Sequence, residues 1–494
     1  MKYKHFEVVI ILFATAIILL LYSIIQPKIS FPFLKGEQVN FSFLSVDKIL
    51  NLGIKETINE KADIVTEKLI AQSNTVVVKQ DKPIKKDTLT KPEKPTTFLF
   101  VPSSGNVSCF DNFFSALYME SPKEVVHIGH YGDSQIEGDR ISSNFRNKFR
   151  QEFGGQGVGF VPLTDITDCI SYSRTSSENW QRYTVFKNKF KNGFFGLSGM
   201  VFKYANSVVQ KPDEQIDSTS TEVKEGKIVY YNGKAHITIC LNNNYSDFSV
   251  MYGNAEKPCQ LSVRSLTSSK NLAQITLNST NNFVKQKIDL TSNDKNISIS
   301  FSGTSPNIYG LNFDGDKGVQ VDNYAIRGHS GDRLIKINPN LLIEELKETN
   351  THLVIFQFGA NSIPYVKSDE TLEYISQEFT KLFQRFKQSM PNLSILVVGV
   401  GDMATRIDGE YTSYPMIPKI RDVMKNAALK SNCAYFDLFE FMGGNDAILS
   451  WSKKGLASKD GHFSPAGQEI VANEIFKAIM KEYALFKQKY KINT

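Results

Sequence analysis

Between residues 124 and 485 the hydropathy pattern changes its period twice, and few folds accommodate both changes. Residues 124–135 (EVVHIGHYGDSQ) run as an apolar strand into a turn, and 136–153 follow with helical spacing and many charges. From about Arg182 to Gly318 the chain instead alternates short β-rich runs with Asn, Ser, Thr and Gly turns, as in KIVYYNGKAHITICLNN, NYSDFSVMYG and NISISFSG. After Val319 the first pattern resumes: THLVIFQFG, a predicted helix over 370–388, LSILVVGVG, another helix, CAYFDLFEF, and a last helix predicted from Pro465 to about Lys487. Strands alternating with helices imply a mostly parallel sheet covered on both faces. The middle run implies an all-β body. The expected architecture is therefore an α/β domain in two parts, 98–181 and 319–494, interrupted by an inserted β-sandwich at 182–318.

The N-terminal fifth of the chain has a different character. Val8 to Ile25 form an 18-residue uncharged apolar run, VVIILFATAIILLLYSII, which as a helix at about 1.5 Å per residue spans roughly 27 Å, close to the hydrocarbon thickness of a bilayer. It reads as a membrane anchor at residues 1–25. A cleaved signal peptide is the rival reading, but Tyr22 to Pro27 offers no small-residue cleavage pattern. Lys2 and Lys4 before the run face Lys28 and Lys35 after it, so charge barely sets the orientation. The short flank before a large C-terminal body favours export of that body. Residues 26–97 are poor in strand patterns; 47–72 has amphipathic helical spacing, and KQDKPIKKDTLTKPEKPTT at 79–97 is a Lys/Pro/Thr tract unable to bury a core. It reads as a tether.

Charge and cysteine usage exclude several classes. Twelve Lys stand against nine Asp and Glu between Lys28 and Lys94, and Lys2 and Lys4 against Glu7, which leaves about +2 of the formal +6 for everything after residue 97. That balance argues against nucleic acid as the partner, because phosphate binding needs a concentrated basic face. Cys109, Cys169, Cys240, Cys259 and Cys433 contain no C-x-x-C pair, which removes zinc ribbons, thioredoxin-like chemistry and a disulfide framework. A single Cys240–Cys259 bridge stays open.

Four short motifs fall where open α/β sheets collect reactive groups, after the carboxyl ends of strands. Gly132-Asp133-Ser134-Gln135 puts a serine in a sharp turn ahead of a predicted helix, where backbone N–H groups can steady an oxyanion. Gly328, in YAIRGHSG, offers a backbone N–H with no side chain in the way. Asn361, in FGANS, offers an amide donor, and the loss of one such donor commonly lowers rate about 100-fold to 1,000-fold. His462 in KDGHFSPAG supplies a base with Asp460 two residues before it. Of the other histidines, His5 precedes the apolar run, His127 and His352 belong to strands, His236 lies in the insert, and His130 and His329 fall in candidate site loops. Taken singly, each motif is ordinary turn or capping chemistry.

Together and in this order, G-D-S, a glycine loop, G-x-N and a late D-x-H resemble the four blocks of the SGNH, or GDSL-like, hydrolase family over about 120–165 and 320–485. The resemblance implies a flavodoxin-like sandwich of helices about a parallel sheet of about five strands. It implies Ser134 as nucleophile; the Ser134 and Gly328 N–H groups with the Asn361 side chain as oxyanion hole; and His462 as base supported by Asp460. No metal or organic cofactor is implied. Family members usually carry D-x-x-H, whereas Gly461 alone separates Asp460 from His462 here, so a Ser–His dyad helped by a backbone carbonyl stays open. Residues 130–163, with the inserted β domain, are similar to bacterial peptidoglycan O-acetylesterases, in which a carbohydrate-binding jelly-roll-like module interrupts the hydrolase.

The expected function is a membrane-anchored serine esterase, its catalytic part exported, that removes O-acetyl groups from peptidoglycan or another polysaccharide. A polysaccharide O-acetyltransferase using the same residues and a non-catalytic glycan-binding envelope protein are the alternatives. Tyr230, Tyr231, Tyr245, Phe248 and Tyr252 of the insert either stack on sugars or fill its core. The sequence leaves the oligomeric state open.

Overall fold

The computed structural model describes residues 98–104, 107–188, 190–210 and 227–492, together with two short strands, Ser30–Pro32 and Gln38–Asn40. Those two strands pair antiparallel inside a stretch whose pattern predicts none. The expected anchor at 8–25 and the rest of the tether lie outside the described residues. Among the described residues, no helix is long and apolar enough to cross a membrane. Residues 91–494 form one compact unit, which carries everything below.

Its centre is a parallel sheet of five strands: β1 (Val125–Gly132), β2 (Gly318–Ala325), β3 (Thr351–Gln357), β4 (Ser394–Val398) and β5 (Ala434–Phe436). Their spatial order is β2-β1-β3-β4-β5, and Leu99–Phe100 adds an antiparallel strand beyond β5. This is the flavodoxin-like order, whose switch point lies between β1 and β3. Helices cover both faces, so β3 and β4 read as unbroken apolar runs. Pleating sends successive β1 side chains to opposite layers. The His130 ring meets Phe145 of helix Arg140–Phe153 on one side, and Tyr131 meets Phe386 of helix Asp369–Ser389 on the other. On the first face Phe149 packs edge-on to Phe476 of helix Pro465–Lys489 at 5.0 Å. Side chains of Ser368 and Ser464 accept from Thr371 N and Gly467 N and so cap the two long helices, with Pro465 in the first turn of the second.

Two antiparallel sheets occupy the span between β1 and β2. One has the order Asn271–Leu277, Cys259–Ser265, Asn296–Gly303, Lys234–Leu241, Tyr172–Ser176. The other runs Val284–Lys287, Asp247–Gly253, Asn307–Asp314, Met200–Tyr204, Trp180–Thr184, with Gly157–Val161 also paired to Asn307–Asp314. They face each other: Trp180 and Tyr204 of the second sheet pack on Phe301 of the first at 5.4 and 6.3 Å. Strand pairing thus moves the start of the insert ahead of residue 182, because 157–161 and 172–176 already belong to its sheets.

One open alternative is decided, and two further expectations are corrected. Tyr245, Phe248 and Tyr252 are buried core residues, unable to stack on a sugar, whereas Tyr230 is exposed. All five cysteines are free. Cys240 and Cys259 flank the shared strand Asn296–Gly303 at opposite ends, opposite Asn296 and Gly303 respectively, too far along the strand to bridge. The segment after Ser134 also departs from a continuous helix: Gly138 and Asp139 adopt positive φ, and the helix begins only at Arg140. The serine therefore sits in a turn that leads into the short 3-10 turn Glu137–Asp139, six residues ahead of the α-helix.

A buried polar cluster joins the insert to the central sheet. His127 of β1 lies 2.7 Å from Asp322 of β2 and 3.4 Å from Asp314, the last residue of an insert strand. Asp322 also accepts the Phe160 N–H at 2.8 Å. Burial alone would push the His127 imidazole down, but the two carboxylates outweigh it and lift it to about 9.

Candidate active site

β1 ends in Gly132, where a side chain would come within 2.9 Å of Ile136 and 3.0 Å of the Gln357 carbonyl. Glycine leaves room for that close packing, and the turn that follows presents Ser134 at the carboxyl end of the sheet. The Ser134 hydroxyl lies 2.8 Å from His462 Nε2, within the reach that a hydroxyl nucleophile and its base require. His462 Nδ1 faces Asp460 Oδ2 at 3.1 Å. The missing residue of the D-x-H spacing is accommodated by Gly461, whose φ of +89° few other residues adopt. Burial would raise the Asp460 carboxyl, but the Ser458 hydroxyl and the His462 backbone and side chain donate to it and hold it below its ordinary range. The pair is open to water: the Asp460 side chain is 68% exposed and that of His462 43%.

The loop carrying His462 is tied to the serine turn by Gln135. Its Nε2 donates to the Gly461 carbonyl at 2.6 Å, and its Oε1 accepts from the Phe463 N–H at 3.2 Å. One amide thus holds the backbone on both sides of the imidazole. A four-residue motif ending in Gln carries no sign of this role, because the partners lie 326 and 328 residues away in sequence.

Asn361 follows β3 in a short 3-10 turn, Ala360–Tyr365. Its amide donates to Asp133 Oδ2 at 2.7 Å and, less closely, to the His329 carbonyl at 3.3 Å. Asp133 is buried, which pushes its carboxyl up to about 6, and it also accepts the Gln135 N–H. Gly328 has φ +76°. Among the described residues, neither the Gly328 nor the Ser134 N–H has a hydrogen-bond partner. The four motifs therefore meet at the β1/β3 end of the sheet, with a hydroxyl, an imidazole, a carboxylate and three donors around it. Such a set can exchange a proton between hydroxyl and imidazole and stabilise negative charge on a bound carbonyl oxygen.

The imidazoles of the two histidines expected in site loops do not join it. His130 lies within β1, not in a loop, and is bonded to Ser142 and Gln357 at 2.8 and 3.1 Å. His329 is also fully buried. Burial pushes both imidazoles down to about 3, so both are neutral at physiological pH. Among the described residues, no group of His, Cys, Asp and Glu side chains could hold a metal ion.

Residues 300–470 match the model of the GDSL-like lipase/acylhydrolase family. The match begins within the last strands of the sandwich and includes Gly328, Asn361, Asp460 and His462; Ser134 precedes it. Among solved structures, a peptidoglycan O-acetylesterase is similar over 78% of this chain and 99% of its own, with 18% identity and a TM-score of 0.59, which shows a shared fold. A family two carbohydrate esterase from Clostridium thermocellum in complex with cellohexaose (13% identity, 51% of this chain and 95% of that one) and the acetyl xylan esterase AlAXEase (17%, 33% and 81%) reach a TM-score of 0.25, too low to bear on the fold. No curated protein matches the sequence.

Proposed function

We propose, for a chain that carries a GDSL-like (SGNH) acylhydrolase domain and resembles a peptidoglycan O-acetylesterase in fold, a serine esterase that removes O-acetyl groups from peptidoglycan or a related polysaccharide outside the cytoplasmic membrane. The observation that carries this reading is the 2.8 Å approach of the Ser134 hydroxyl to His462 Nε2. In it, Ser134 Oγ attacks the ester carbonyl carbon while its proton passes to His462. The sugar alkoxide leaves with that proton, and acetyl-Ser134 remains. Water then gives a proton to His462 and attacks the acyl carbon; acetate leaves, and Ser134 regains its hydrogen.

The oxyanion is met by the Ser134 and Gly328 N–H groups and by Asn361, whose amide pivots about its shorter bond to Asp133 and exchanges its longer bond, to the His329 carbonyl, for one to the substrate oxygen. An imidazole as exposed as His462 admits water freely, which favours hydrolysis over transfer to a second sugar. The N-terminal apolar run would hold the enzyme at the membrane while its polymeric substrate stays in place.

The test is acetate release from O-acetylated peptidoglycan, O-acetylated xylan and p-nitrophenyl acetate by the purified chain, with Ser134→Ala as control. Turnover that disappears in the variant supports the reading. Equal turnover in both chains ends it.

A further inference from the structure

An exposed aromatic side chain of the insert reaches the candidate active site. Phe186 follows strand Trp180–Thr184 and is 42% exposed, unlike the insert aromatics buried in its core. Its ring lies 3.6 Å from the point where Gly328 would carry a Cβ, and 5.6 Å centroid to centroid from His329. Gly328 offers an unpartnered N–H, and the His329 carbonyl receives Asn361, so Phe186 borders the donors that face the reacting carbonyl.

The same ring forms one wall of a cleft of about 280 Å³. Ser330 and Ser362, close neighbours in the chain of Gly328 and Asn361, line it, with Arg333 and Tyr374. Tyr374 is 54% exposed, and Arg333 is about half exposed. The volume lies near the small end for ligand pockets, which run from about 300 to 1,000 Å³. It suits one sugar ring. A pyranose has an apolar C–H face and a rim of hydroxyls, and this cleft sets the Phe186 and Tyr374 rings beside serine hydroxyls, the Asp332 and Glu378 carboxyl groups and the Arg333 guanidinium, itself paired with Asp332 at 2.8 Å.

We propose that the cleft is a sugar subsite, in which Phe186 of the sandwich packs against the pyranose adjoining the acetylated residue. The inference deepens the esterase reading and rests on it for the acetylated neighbour. It gives the insert a part in catalysis distinct from holding polymer at a distance: binding energy from a sugar that does not react is used to seat the one that does.

The test compares kcat/KM for O-acetylated peptidoglycan with that for p-nitrophenyl acetate, which has no sugar to occupy the cleft. In Phe186→Ala the ratio of the two falls on the order of 10-fold, as expected for loss of an aromatic anchor, and Phe186→Tyr restores it. Tyr374→Ala, on an exposed helix position, lowers the same ratio. An unchanged ratio in both alanine variants overturns the subsite. A second arm measures binding of O-acetylated muropeptide disaccharide to Ser134→Ala by calorimetry, with and without Phe186→Ala. Binding weakened on the order of 10-fold supports the subsite, and equal binding overturns it. This arm reads occupancy with no turnover, so failure of the esterase reading shows as absent acetate release and failure of the subsite as unaltered binding.

Discussion

Two of the described histidines that meet aspartates, His127 and His462, lie in opposite surroundings. His127 is sealed between Asp314 and Asp322 where insert and central sheet join. His462 stands at the open end of the sheet, with a single, largely exposed aspartate and a serine hydroxyl. Burial makes the first pair a strut: in a medium of low polarity the imidazolium is stabilised by its two carboxylates and has no route to a substrate. Exposure makes the second a poor strut and a usable base, because water screens the attraction while substrate can reach the ring. A His–Asp contact therefore says little about function until its burial and its third neighbour are known.

The contrast is broken if His462→Ala and His127→Ala fail in the same way. His462→Ala should lower kcat for p-nitrophenyl acetate on the order of 1,000-fold or more, with the thermal midpoint within about 2 °C of the parent. His127→Ala leaves two buried carboxylates without their cation and should destabilise by about 3 to 5 kcal/mol, seen as an earlier urea midpoint. The pH dependence follows from the raised His127 imidazole. A group whose folded value stands above its unfolded one contributes stability fully below the unfolded value, here about 6.5, and loses it as pH rises through about 9. Urea midpoints should therefore fall between pH 6.5 and 9 in the parent, and do so less in His127→Ala. Equal slopes in the two chains would show that His127 is neutral in its site.

Gln135 sharpens the comparison, since it does for the exposed histidine what burial does for the other. Gln135→Ala removes both bonds to the His462 loop and should lower kcat by about 10-fold to 100-fold with little change in KM, as expected when positioning is lost and binding is kept. The Phe463 amide, no longer bonded to Gln135, should exchange faster with deuterated solvent. In a His462→Ala background the same substitution should have no further effect on kcat.

Much of this arrangement is visible in the sequence, for a physical reason. β3 and β4 are buried on both faces and so carry the apolar runs Leu353–Phe356 and Ile395–Val398, and helix Asp369–Ser389 lies within a residue of its predicted ends because its apolar spacing and its Ser368 cap agree. Ser134, Gly328, Asn361 and His462 stand out because each follows a strand or precedes a helix in a short polar motif. What escapes is set by long-range pairing. The strand Gly157–Val161 carries no local mark of which sheet it joins, and the positive φ of Gly138 and Asp139, which delays the helix to Arg140, is masked by helical spacing on either side. Phe186 and Gln135 act through neighbours that sequence proximity does not reveal.

Asp460 should show the smallest effect, and its size decides between the triad and the dyad. A buried aspartate beside a catalytic histidine fixes its tautomer and stabilises the imidazolium, and its loss is severe. Here the carboxylate is mostly in water, and exposed ion pairs contribute only up to about 1 kcal/mol. With Gln135 already holding the loop, Asp460→Asn should lower kcat by no more than about 10-fold. A loss approaching that of His462→Ala would mean that Asp460 orients the ring more firmly than its exposure allows, and that the loop closes over the pair when substrate binds.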